Sequence, residues 1–465
     1  MNGVIMQRIF GLALATFAFS SLSGVPAIAT ANATNEEFQQ GLQRTSVDIA
    51  ALLTSARGAP PMICSLAASA VGNGWGGWSD APYTPLAVSS APLNFRDRDS
   101  RNFATEDLQR LFAGLSSDDA CVRELSVRLI GTQRGEAVAP ELIARLGSGD
   151  VSLRSVAALG LGLVDAQSAV DPLIRTLRDA AVEVRANSAW ALGRIENGRA
   201  LNPLVNLFGD DAEKVREAAV VAVGHMESTS TVPALIRVVR QDNSANVRRV
   251  AAWALGNIEA REGVPALVEV LGRDSDGRVR EMAAWALGNI EDSRGIAALG
   301  NAIRNDSDDR VRETAVWAIG NIGDRSSLGI LDAATSDRSA YVRGTAAWAM
   351  GQMDENGMRA PAGLLRLLSD ENADTRLKAA WALGQLEDGN ALSAIRDALK
   401  AERNDRVRKA LIRALMKSGE RSEAALTELL NSSDPQVREA AVRGLAGARS
   451  FDPWPWPWPR PRPFP

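Results

Sequence analysis

A chain of 465 residues with 46% apolar and 23% charged side chains carries enough of both to fold, which excludes wholesale disorder. Its formal net charge of -4 is mildly acidic and argues against a surface built to neutralise phosphates, so a nucleic-acid partner is not expected. Length alone would split such a chain into two or three separate cores, but internal repetition replaces that expectation.

From the N-terminus, residues 1–33 read as a secretory signal peptide. Arg8 and the free amine precede the apolar run Ile9 to Phe19, and Ala31-Asn32-Ala33 offers small residues for cleavage. The run falls short of the roughly 20 apolar residues of a membrane span, and no later stretch reaches that length. The expectation is an exported protein, periplasmic or extracellular, with no transmembrane segment after signal removal; a retained N-terminal anchor is the competing reading. Cleavage takes away Arg8 and no acid, leaving 51 Lys+Arg against 56 Asp+Glu.

Residues 34–71 are expected to form an N-terminal helical cap, with an amphipathic helix over Asn35 to Ala56 and a shorter one over Pro61 to Val71. Residues 72–101, with Gly74-Trp75-Gly76-Gly77-Trp78 and several prolines, have no period and read as an irregular linker. The two cysteines, Cys64 and Cys121, stand on either side of it. In an oxidising compartment they would pair and tether the cap to the first repeat; the other reading makes them two small buried hydrophobes.

From residue 102 to 449 the chain repeats itself. A register arginine, usually preceded by valine, recurs as Arg123, Arg154, Arg185, Arg216, Arg248, Arg280, Arg312, Arg343, Arg376, Arg408 and Arg438, each 30 to 33 residues after the last. A period of this length is one supersecondary unit and means a stacked array. Within one unit, Val247, Ala251, Ala254, Leu255 and Ile258 share a face at helical spacing, so the arginine opens an amphipathic helix. Upstream of each such helix lies another helical run, and Pro140, Pro172, Pro203, Pro233 and Pro265 mark its start, where a missing N–H costs nothing. Asp and Ser in the next turn, as in Asp306-Ser307-Asp308, are placed to cap the following helix. Gly256, Gly288 and Gly320, near the end of the arginine-bearing helix, call for close packing or helix termination. The fold expected is all-α: an α-solenoid of about eleven helix-turn-helix units. Arg413 and Arg443 replace Trp or an aliphatic residue, and Met416 and Ala446 replace Gly, so the last two units read as a polar cap.

The Val-Arg-x-x-Ala-Ala-Trp-Ala-Leu-Gly-Asn-Ile core, with its acidic turn and Pro-led helix, resembles HEAT repeats of the phycobilisome-lyase type, over Asn102 to Arg449. The resemblance implies a right-handed superhelix with the arginine-bearing second helices lining the concave face. It also implies a hydrogen-bonded Asp–Arg ladder between neighbouring repeats, here Asp179, Asp210, Asp242, Asp274, Asp306, Asp337 and Asp370, with Glu402 in the next unit. The family includes pigment lyases, and a lyase-like or enzyme-accessory role is kept as an alternative, although lyases act on cytosolic phycobiliproteins. Di-iron hydroxylases of this repeat class need several His–Glu pairs, which a chain with the single histidine His225 lacks.

Six units carry a tryptophan five positions after the register arginine: Trp190, Trp253, Trp285, Trp317, Trp348 and Trp381. At about 100° per residue it points about 150° away from the apolar face. Four residues on stand Asn257, Asn289, Asn321, Gln352 and Gln385, with Arg194 at the first rung. An indole row beside an amide row is suited to gripping a protein or extended peptide; the alternative is that each indole serves only its neighbouring repeat. Residues 450–465 form a Pro/Trp-rich tail that cannot be helical, since alternate residues lack an N–H. Its Trp454, Trp456, Trp458, Arg460 and Arg462 suit a docking peptide, a membrane- or envelope-surface contact or an occupant of the concave face; the remaining reading is an extension with no partner. No phosphate loop, Cys-x-x-Cys or His-Glu-x-x-His occurs. The expectation is a scaffold with no catalytic residues, metal or cofactor.

Overall fold

The computed structural model describes residues 48–71, 83, 85–86, 103–353, 359–418 and isolated positions between 427 and 442. The chain divides into two compact units, Met1–Asp48 and Ile49–Pro465. All but the last residue of the first, the expected signal and the start of the cap, lies outside the described residues.

Within the second unit the described residues form helix pairs, running from Thr105–Gly114 with Ala120–Ile130 to Leu392–Ala401 with Asp405–Lys417, and no strand is among them. Each pair is one repeat, so the register arginine sits on the second helix as the period predicts. Most first helices are entered through a short 3-10 turn, as Gln167–Ala169 enters Val170–Thr176. Pro233 and Pro265 hold the second helical position and Pro172 and Pro203 the third, where the ring costs little. Pro140 departs from the expectation. It lies inside Gly135–Arg145, because there the helix absorbs the turn that is 3-10 elsewhere.

Asp119, Asp150, Asp276 and Asp308 cap the second helices by accepting backbone N–H groups, as Asn372 and Asn404 do further on. Termination falls to a left-handed residue rather than to the repeat glycine: Glu196, Glu291 and Glu387 have φ of 51°, 53° and 48°, and Gly323 has 69°. The helices therefore run past Gly288 to Ile290 and past Gly320 to Ile322. Those glycines serve packing. A Cβ at Gly288 would lie 2.7 Å from the Ala318 Cα of the next second helix, and one at Gly256 would lie 2.8 Å from that of Ala286.

Successive second helices thus meet backbone to backbone, and they bury a continuous core of Val, Ala, Leu and Ile. The first helices stand further apart. They leave a groove of ≈ 690 Å³ between Leu201–Asn206 and Val232–Gln241, and one of ≈ 300 Å³ between Val264–Arg273 and Ile296–Asn305.

At the N-terminal end, Ile49–Ala56 and Pro61–Val71 cover the first repeat. Cys64 and Cys121 are joined in a disulfide with Cα atoms 5.7 Å apart, inside a small cluster with Ala56, Ala68, Val122 and Leu125. The Gly58 N–H donates to Asp119 Oδ2 at 2.8 Å, a second tie between cap and repeat.

Candidate functional site

Two seams run along the second helices. The first is the charge ladder. Arg280 donates through Nε and Nη2 to the two Asp306 carboxylate oxygens of the next repeat, at 2.8 and 3.0 Å. Its Nη1 donates to the Asp274 carbonyl of its own repeat at 2.8 Å. Asp306 Oδ1 also accepts the Asp308 N–H at 2.9 Å. One aspartate therefore binds two arginines and caps a turn. The same fork recurs from Arg154 on Asp179 to Arg376 on Glu402. Among the described residues the buried Nε of Arg408 has no hydrogen-bond partner.

The second seam lies near the helix C-termini. Each indole rests on the glycine of the preceding repeat. A Cβ at Gly224 would come within 2.5 Å of Trp253 Cζ3, one at Gly288 within 2.8 Å of Trp317 and one at Gly351 within 2.6 Å of Trp381. This corrects the expected aromatic stripe. Trp190, Trp253, Trp348 and Trp381 keep only 6, 3, 2 and 1% of their surface, so they offer no face to a partner. The missing Cβ lets the ring drop into the junction instead of standing off it. Trp285 and Trp317 are half-buried and keep surface outside the junction.

The polar row is also partly engaged. Asn257 and Asn321 donate to the carbonyls of Gly224 and Gly288 at 3.1 and 3.0 Å, and Arg194 Nε donates to that of Gly162 at 3.1 Å. These carbonyls lie in the last turns of their helices, where no intrahelical donor remains. Gln385 accepts from Lys417 at 2.8 Å, Asn289 is half-buried and Gln352 exposed. Trp454, Trp456, Trp458, Arg460 and Arg462 lie outside the described residues.

His225 occupies the same row as the amides, edge-on to Trp253 with ring centroids 4.8 Å apart. Burial, and then the Arg194 charge, push it from 6.5 to about 4. Its neutral form belongs to the fold, so that contribution is complete above about pH 6.5 and is lost as pH falls toward 4. The ladder acids act in a lower window. The hydrogen bond from Arg154 holds Asp179 below its ordinary value. Burial pushes Asp306 and Asp370 up, but arginine and backbone hydrogen bonds bring both below theirs. Their contribution is complete above roughly pH 4 and is lost as pH falls through the depressed values. Melting temperature should therefore fall in two steps on acidification, and His225→Asn should flatten the step between 6.5 and 4 while leaving the lower one. Thermal melts followed by circular dichroism check this; an unchanged upper step in the variant would refute the assignment.

One polar contact was not anticipated. Asn187, fully buried on the helix Val182–Ile195, hydrogen-bonds both main-chain groups of Tyr83 in the linker. The signal for it was faint: an amide two positions after the register arginine, where Val156, Ala218, Val250 and Met282 stand in other units.

Comparison with known proteins follows the same lines. The HEAT-repeat profile matches residues 139–224, 170–245, 232–317, 296–364 and 361–446, more than half of the chain. No curated protein matches significantly. Among solved structures, Kap95p bound to RanGDP is 15% identical with a TM-score of 0.54, over 73% of this chain and 57% of that one. Importin beta is 16% identical with a TM-score of 0.52, over 74% and 58%. The chain thus spans less than two thirds of either. The CpcE–CpcF phycocyanin lyase of Nostoc is 24% identical with a TM-score of 0.32, over 50% and 92%.

Proposed function

Since the chain belongs to the HEAT-repeat family, we propose that it is an exported, non-catalytic scaffold that grips a protein or extended peptide on its second-helix face, at the rungs of Trp285 and Trp317. The observation that carries this reading is the partial exposure of those two indoles on adjacent repeats, while the indoles on either side are buried. Asn289 and Asn321 follow them by four residues. Tryptophan is enriched at the hot spots of protein interfaces, and a pair of indoles on adjacent repeats supplies such an anchor.

Export is supported by the signal-like residues 1–33 and by the disulfide, which persists in oxidising compartments. A non-catalytic role is supported by where the titratable groups go: the ladder acids bind arginines, and His225 packs on Trp253. The mildly acidic balance favours a protein over a nucleic acid. The tail, residues 450–465, is assigned the second contact.

The test is affinity capture from the native envelope with the mature chain, the Trp285→Ala/Trp317→Ala variant and a chain lacking residues 451–465. The double variant is expected to lose the bound partner at least tenfold with its helical signal intact, and the truncation to weaken it less. Equal recovery by the double variant would make both indoles purely structural.

A further inference from the structure

We propose that Asn187 and Ser155 form a seat for the main chain of an extended peptide, and that the chain's own segment at Tyr83 fills this seat in cis. Asn187 Oδ1 accepts the Tyr83 N–H at 3.1 Å, and its Nδ2 donates to the Tyr83 carbonyl at 2.9 Å. Both main-chain groups of a single residue are satisfied by a single amide. That is the two-point contact a neighbouring strand would make, and it reads backbone rather than side chain.

The amide is built into place. Its Nδ2 also reaches the Ser155 carbonyl at 3.1 Å and the Ser155 Oγ at 3.0 Å on the preceding repeat, which fixes the orientation of the donor and acceptor. No other second helix has an amide at this position; Val156, Ala218, Val250, Met282, Thr314 and Lys378 stand there instead. The seat is therefore a feature of one rung and not of the repeat. Beside it lies a cavity of ≈ 220 Å³ lined by Tyr83, Pro85, Arg123, Ser155, Val156 and Glu183, so Tyr83 and Pro85 leave room for a larger ligand.

Tyr83 lies within the 57-residue loop that the Cys64–Cys121 disulfide closes. Covalently joined to the solenoid on both sides, the segment competes intramolecularly with any free peptide. A partner must therefore displace it. The ligand class that fits is an extended peptide carrying an aromatic residue two places before a proline, as Tyr83-Thr84-Pro85 does. This inference rests on the proposed scaffold role and places a second peptide site on the same face, several repeats before Trp285.

The experiment uses the mature chain and a fluorescent peptide with the sequence of residues 79–88, followed by anisotropy. A Tyr83→Gly/Pro85→Ser/Leu86→Ser variant, whose cis segment is weakened, is expected to bind the peptide at least tenfold more tightly than the parent chain. Adding Asn187→Ala to that variant is expected to abolish binding. Asn187→Leu, of similar volume, replaces it should the alanine variant fail to fold. Binding to neither chain, equal binding to parent and variant, or binding that survives loss of the Asn187 amide would each overturn the proposal. None of these readouts involves Trp285 or Trp317, so failure here and failure of the capture experiment are distinguishable.

Discussion

Gly288→Ala is expected to destabilise the solenoid by about 2–3 kcal/mol, although alanine is the better helix former by about 1 kcal/mol. The reason is what the new methyl meets. It would stand 2.7 Å from Ala318 Cα and 2.8 Å from both Ala318 Cβ and Trp317 Cζ3, and two of these atoms are fixed by the facing backbone. Neither helix can yield without opening the junction, because the same contact carries the Asn321 hydrogen bond to the Gly288 carbonyl. The Gly193 junction shows that the constraint is not the indole alone. Val221 replaces tryptophan there, and a Cβ at Gly193 would still come within 2.6 Å of Ala222 Cα. Gly272→Ala is the matched control: it lies in the helix Val264–Arg273 with nothing within 4 Å, so the same change there should be neutral or stabilising. Urea unfolding of the two variants decides the matter. Equal stabilities would mean that the second helices can slide apart freely.

Asp306→Ala should cost about 3 kcal/mol, well above the 0 to 1 kcal/mol of an exposed ion pair. The side chains of Arg280 and Asp306 retain 15% and 7% of their surface, so truncation leaves a guanidinium largely out of water and without its two-pronged acceptor. It also removes the cap on Asp308. The cost should be non-additive with Arg280→Met, since that second change removes the stranded charge. A double-mutant cycle by urea unfolding measures this coupling, and a value under about 0.5 kcal/mol would demote the ladder to surface decoration.

The solenoid and the ladder were legible because both are written once per repeat. A register arginine and an aspartate six residues before it recur often enough to fix helix order, and the resemblance supplied the pairing between neighbours. The indoles were harder to place. Their angle on an isolated helix points away from its apolar face, and that geometry is silent about the glycine of the preceding repeat. Burial at Trp190, Trp253, Trp348 and Trp381 is a property of the junction and not of the helix. Asn187 and Tyr83 were illegible for the opposite reason. Each breaks a pattern only once, one within the repeat and one in an aperiodic linker, so no recurrence drew attention to their meeting.

The two seams join each repeat only to its neighbours, which has a mechanical consequence. A chain pulled from its ends would load every junction in series, so all would bear the same force and the array would part where one junction is weakest. Among the junctions from Gly162 to Gly351, the one at Gly193 alone lacks an indole, with Val221 in its place. Tension would concentrate its damage there, dividing the spring between the repeats that carry the disulfide-bound cap and the Asn187 seat and those that carry Trp285 and Trp317.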